Sequence, residues 1–156
     1  MRTILRSLLL MLPLLPAGLR ASDNPLIGTW KLNLAKSRFS PGFPVPRSRT
    51  VRYVVSGSNG MKYTNDTVQA DGSPLHVEYT VQFDGKDNPV AGDPTRDSTS
   101  QRRIDFYTTQ MINKKDGQVV ETTIRVVSKD GKSLTVTAKG IRDGKPYNNL
   151  HVYERQ

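Results

Sequence analysis

Apolar and polar residues alternate with a period of two through most of the chain beyond residue 26. Leu75, Val77, Tyr79, Val81 and Phe83 share one parity, and His76, Glu78, Thr80 and Gln82 share the other. Val51, Tyr53 and Val55 repeat the pattern, as do Leu134, Val136 and Ala138, and Gly28, Trp30, Leu32 and Leu34. This period predicts strands near 27–34, 49–56, 61–68, 75–83, 88–91, 99–106, 108–114, 118–128, 132–140 and 146–155. No segment carries a sustained helical apolar stripe. Asp-Gly recurs at residues 71–72, 84–85, 116–117, 130–131 and 143–144, with Asn59-Gly60 as a relative. Such pairs accept the positive φ of tight hairpin turns, so they predict strands joined in series.

A long meander must hide its edge strands. Closure into an up-and-down barrel does so, and two packed sheets are the alternative. The prediction is one all-β domain over 22–156, an antiparallel meander of about 8–10 strands closed into a barrel. Two irregular stretches interrupt it, the proline-rich 35–48 and the Gly/Pro/Asp-rich 84–98, and both read as long surface loops.

The first 21 residues have a different pattern. Arg2 and Arg6 precede an apolar run over 8–15, and the small residues Ala17 and Gly18 follow. That is the layout of a signal peptide, with cleavage after Ala21 or at Ala17 or Gly18. The run is shorter than a membrane span requires. The expected product is periplasmic or secreted, with no transmembrane segment, and monomeric.

Composition narrows the chemistry. The full chain has 156 residues and a net charge of +9; loss of residues 1–21 removes three arginines and leaves +6. Valine outnumbers leucine 14 to 6 beyond residue 21, which suits pleated sheet. With no cysteine there is no disulfide, thiol nucleophile or thiolate metal site. The repeated aspartates lack calcium-loop spacing, so no metal and no cofactor is expected. Basic groups are scattered without interleaved aromatics, which argues against a nucleic-acid partner. No Gly-x-Ser-x-Gly, phosphate loop or His-Glu-x-x-His occurs, so no catalytic residue is assigned and no enzyme is expected.

The two ends carry the remaining signal. Leu26-Ile27-Gly28-Thr29-Trp30-Lys31-Leu32 resembles the opening strand of the calycins, the lipocalins and fatty-acid-binding proteins, which begin Gly-x-Trp. Leu150-His151-Val152-Tyr153-Glu154-Arg155 resembles the last strand of the fatty-acid-binding proteins, where Arg-x-Tyr faces the cavity and holds a carboxylate. Thr122-Thr123-Ile124-Arg125 is similar to the strand two before the end, where that family places a second inward arginine. The resemblance also extends to short, exported, uncharacterised bacterial lipocalin-like proteins. It implies a calycin-like barrel in which Arg125, His151 and Tyr153 anchor an acidic head beside Tyr63 and Tyr79. It further implies that Trp30 closes one end, with Gly28 permitting close packing and Arg155 stacking on the indole. Three features depart from it. The chain has an export-type leader, a proline-rich loop where the fatty-acid-binding proteins have a helix pair, and His151 in the slot of the terminal arginine. Histidine there is a donor that charges below about pH 6.5.

Strand parity is open from sequence. In one parity Arg125, His151 and Tyr153 face inward; in the other Val120, Thr122, Ile124, Val126, Leu150 and Val152 do, and simple burial favours these. The expected function is binding of a small amphipathic or apolar molecule, with an acidic head group among the options. The rival is an envelope structural or interaction module, an inhibitor or surface-binding protein, that uses its outer face and loops.

Overall fold

A computed structural model describes residues 24–156, so the predicted leader over 1–21 lies outside the described residues. Ten strands follow in chain order: β1 (Gly28–Leu32), β2 (Ser48–Ser56), β3 (Gly60–Val68), β4 (Pro74–Gln82), β5 (Asn88–Pro89), β6 (Ser98–Arg103), β7 (Thr108–Lys115), β8 (Gln118–Val127), β9 (Ser133–Arg142) and β10 (Lys145–Arg155). They form one antiparallel sheet in the order β4-β3-β2-β1-β10-β9-β8-β7-β6-β5. The first and last strands meet where β1 pairs with β10, matching Trp30 to Arg155 and Leu32 to Tyr153. The remaining gap is bridged past the short β5. Glu78 N–H donates to Ala91 O at 3.3 Å, and Ala91 N–H donates to Glu78 O at 3.2 Å. The result is a nearly closed antiparallel up-and-down barrel. Among the described residues no helix is long and apolar enough to cross a membrane.

Two of the five Asp-Gly pairs form tight two-residue hairpins; at Asp71-Gly72, Asp84-Gly85 and Asp130-Gly131 only the glycine has positive φ. Asp116 and Asp143 adopt φ of 50°, followed by Gly117 at 74° and Gly144 at 73°, so both central residues are left-handed. That makes two-residue type I′ hairpins, and Lys115 pairs with Gln118 and Arg142 with Lys145. Asn59-Gly60 behaves differently. The positive φ belongs to Gly57, and Gly60 opens β3, where a side chain would collide with Ser56 O and Gln82.

Strand limits shift from expectation where side chains cap turns. The strand predicted over 99–106 stops at Arg103, because Asp105 Oδ1 accepts from the N–H of Tyr107 and Thr108, both at 2.8 Å. Leu34 leaves the first strand for a 3-10 turn over Leu34–Lys36, whose cap is Asn33 accepting from Lys36 N–H, and its side chain is exposed. Val55 is also exposed, next to the end of β2. The proline-rich loop lies along β10: Arg38 N–H donates to Leu150 O at 2.7 Å, and Leu150 N–H returns to Arg38 O at 2.8 Å.

Parity on the last strands follows the polar choice. On β8, Thr123, Arg125 and Val127 are buried while Val126 is exposed; on β10, Asn149, His151 and Tyr153 are buried. Burial of apolar side chains does not decide β8 and β10, because the middle of the barrel holds a polar cluster that their alternate residues complete.

Candidate functional site

One end of the barrel is filled. Trp30 is fully buried, and its indole N–H donates to Leu26 O at 2.8 Å. Leu26, Met61, Val81, Val127 and Leu134 pack into the same apolar cluster. Arg155 lies over the indole, 4.1 Å from the ring centroid. Its Nε donates to Gly131 O at 2.6 Å, and its two terminal nitrogens donate to Ile27 O at 2.9 Å and Pro25 O at 2.7 Å. Gly28 has φ of 141°, and any Cβ there would run into the Arg155 guanidinium. Gly28, Trp30 and Arg155 thus form one structural closure.

The other end holds a cavity of about 210 Å³. Its walls come from β2–β4 and β7–β10, and from the loops around Phe43, Gln69 and Asp93–Arg96. Arg125 sits on its floor and is 3% exposed. One terminal nitrogen donates to Gln101 Oε1 at 2.9 Å; the other meets Tyr79 Oη at 3.2 Å and Met111 Sδ at 2.7 Å. The guanidinium also lies 5.4 Å from the Tyr53 ring centroid and 5.9 Å from that of Tyr63. Among the described residues no carboxylate stands within ion-pair distance of it. Burying an ion costs several kcal/mol. Hydrogen bonds from a charged donor return about 1.5–3 kcal/mol each and cation–π contacts about 0.5–2, so the site tolerates the cation while still attracting an anion.

Three further arginines, Arg49, Arg96 and Arg142, reach the wall. Arg49, sharing the parity of Val51 and Tyr53 on β2, donates from Nε to Thr67 Oγ1 at 3.1 Å. Arg96, delivered by the 90–97 loop, is 8% exposed. Its Nε lies 2.9 Å from an Asp93 carboxylate oxygen but off the N–H direction, so charge attraction is present without an aligned hydrogen bond. Glu121 on β8 accepts from Asn113 Nδ2 and Tyr147 Oη, both at 2.6 Å, and from Thr123 Oγ1 at 3.1 Å. Burial first, and the Glu121 charge second, push the Tyr147 phenol well up. Burial also pushes the Tyr53 and Tyr63 phenols up, so all three are neutral hydrogen-bonding groups.

The predicted anchor residues are divided. Arg125, His151 and Tyr63 reach the cavity wall. Tyr79 and Tyr153 are buried behind it, Tyr79 bonded to Arg125 and Tyr153 placed edge-on to His151 with ring centroids 6.4 Å apart. One expectation for His151 is overturned. Burial foremost, with the Arg49 charge in support, lowers its pKa from 6.5 to about 3, so it is neutral throughout the physiological range. It supplies no extra charge in mild acid. Phe39 packs on its ring at a centroid distance of 5.1 Å.

Sequence reasoning missed Arg49, Arg96, Gln101, Asn113 and Glu121. Arg49 was visible in the period of β2, and Glu121 follows once Arg125 is turned inward, four residues along the same face. Gln101 and Asn113 depend on a polar run of β6 and β7 facing the interior, and Arg96 on a loop entering it. No group of three His, Asp or Glu among the described residues is placed to hold a metal.

No family model and no curated protein matches the sequence. Solved structures similar in fold include the following two. Rv2717c from M. tuberculosis matches with a TM-score of 0.55 and 17% identity, over 86% of this chain and 95% of that one. A mutant of the fluorescent protein UnaG matches with a TM-score of 0.52 and 15% identity, over 83% of this chain and 94% of that one. At these identities the likeness establishes the barrel fold alone.

Proposed function

We propose that this protein is an exported, monomeric barrel that binds a small molecule with an acidic head and does not transform it. The observation that carries the reading is Arg125, a buried cation facing a cavity without a carboxylate partner. Four arginines line the cavity, Arg49, Arg96, Arg125 and Arg142, against the carboxylates of Asp93 and Glu121. An anion entering there gains charge-assisted bonds in a desolvated setting, where they are strongest. A purely apolar ligand fits the wall less well, since it would strand these polar groups. At about 210 Å³ the space is below the roughly 300–1,000 Å³ typical of drug-sized pockets, which favours a short ligand over a long-chain lipid. A structural module using only its outer face is the weaker reading, because a filled interior would serve it better.

Calorimetric titration with short carboxylic acids and the alcohols of equal length tests the proposal. Acids should bind more tightly than alcohols, and Arg125→Gln should weaken the acids about tenfold while leaving the alcohols nearly unchanged. Equal affinity for acid and alcohol in the wild type refutes it. N-terminal sequencing of the exported protein checks the leader, with a start near residue 22 expected.

A further inference from the structure

The cavity offers hydrogen-bond acceptors as well as cations. Asn113 is 1% exposed and lies in the cavity wall. Its Nδ2 donates to Glu121 Oε1, and a carboxylate can only accept, so this bond fixes which way round the amide sits. The opposite atom, Asn113 Oδ1, is then a buried acceptor that takes no donor from the protein. Glu121 stands beside it across the β7–β8 pairing, with three protein donors shared between its two oxygens. A carboxylate has about four lone-pair sites, so it retains room for another donor. His151 Nε2, neutral and also without a partner, is a third polar atom on the same wall.

Stranding a buried acceptor is unfavourable, so a ligand that reaches Asn113 Oδ1 with a donor gains over one that cannot. An ammonium group is the poorer donor here, because the arginines outnumber the carboxylates on the wall and leave it positive. A hydroxyl donates without adding charge. Resting on the acidic-head reading above, we infer that the ligand is a short hydroxylated acid, its acid group held at Arg125 and one or more hydroxyls donating to Asn113 Oδ1 and Glu121. The inference separates this cavity from one that holds an alkyl tail, since Glu121, Asn113, Thr123 and Asn65 occupy the wall such a tail would need.

The test is calorimetric titration of the protein with two matched pairs, hexanoate against gluconate and butanoate against 2,3,4-trihydroxybutanoate. At least one hydroxylated acid should bind tenfold or more tightly than its plain partner. Asn113→Leu, close to isosteric, should erase that preference while leaving the plain acid bound. Glu121→Gln, which keeps the side-chain shape if the leucine variant fails to fold, should reduce the preference severalfold. Plain acids that bind as well as their hydroxylated partners overturn the inference and leave the acidic-head reading standing. A hydroxyl preference that survives both substitutions overturns the assigned acceptors. Failure of all four acids to bind removes the acidic-head reading, and this inference with it.

Discussion

Arg155 and Arg125 are the same residue type in opposite situations. Arg155 lies on the outside of the closed end, stacked on Trp30, with donors running to three backbone carbonyls. Carbonyl oxygens at a chain crossing need donors anyway, so this arginine completes the structure. Arg125 lies inside, held by Gln101, Tyr79 and Met111, none of them charged. Its position is costly for folding and, under the proposed function, serves to attract an anion. The contrast is between an arginine whose donors are satisfied by backbone, which completes architecture, and a buried one without a counter-charge, whose cost the proposed function explains by an anionic ligand.

The strongest way to break this contrast is at the closed end. Trp30→Ala should destabilise by about 3–5 kcal/mol, since it removes a fully buried indole, its hydrogen bond and the Arg155 stack. Denaturant unfolding measures it; a loss under about 1 kcal/mol would show that the end is not closed by this residue.

Acid should act next, through the cavity end. His151 has a folded pKa of about 3 against 6.5 unfolded, so the unfolded chain takes up the proton first. Stability is then full above pH 6.5 and falls by about 1.4 kcal/mol per pH unit as the pH drops below it, down towards 3. Unfolding curves between about pH 7 and 5 should show a loss of about 2 kcal/mol that His151→Gln largely removes. Identical pH profiles for both proteins would contradict it. Ligand affinity should carry no step from this histidine between about pH 8 and 5.5.

Gly28→Ala should cost about 1–3 kcal/mol, because φ of 141° is strained for any other residue and the new methyl meets the Arg155 guanidinium. If the double variant Gly28→Ala with Arg155→Ala is no less stable than Arg155→Ala alone, the steric clash is the cause; a persisting loss assigns it to backbone strain. The smallest stability change belongs to Arg125→Gln, within about 1 kcal/mol, because the lost hydrogen bonds are offset by removal of a buried charge. The same variant should lose about tenfold in affinity for acids. A collapse of stability as large as that of Trp30→Ala would make Arg125 architectural and erase the distinction.

Much of the fold was legible because its rules are local. Alternation placed ten strands within a few residues of their observed limits, since a pleated strand sends successive side chains to opposite faces. Asp116-Gly117 and Asp143-Gly144 located their hairpins, since few other residue pairs adopt two left-handed conformations in a row. Gly28, Trp30 and Arg155 were placed together by resemblance, and the structure brings them into contact.

What tertiary structure decided was the meaning of the polar residues. Period two says that Arg125 and Ile124 face opposite ways, but only the packed barrel says which way is in. Hydrophobicity alone favours Ile124, because the cost of burying Arg125 is recovered from partners on other strands, Gln101 of β6, Tyr79 of β4 and Met111 of β7. These partners are 24, 46 and 14 residues away in the chain, and no local pattern joins them. The neutral state of His151 arose in the same manner, from burial and from Arg49 on a strand distant in the chain. The alternation and turns of the strands are local in sequence; the electrostatics of the cavity exist only after closure has removed water and brought distant side chains together.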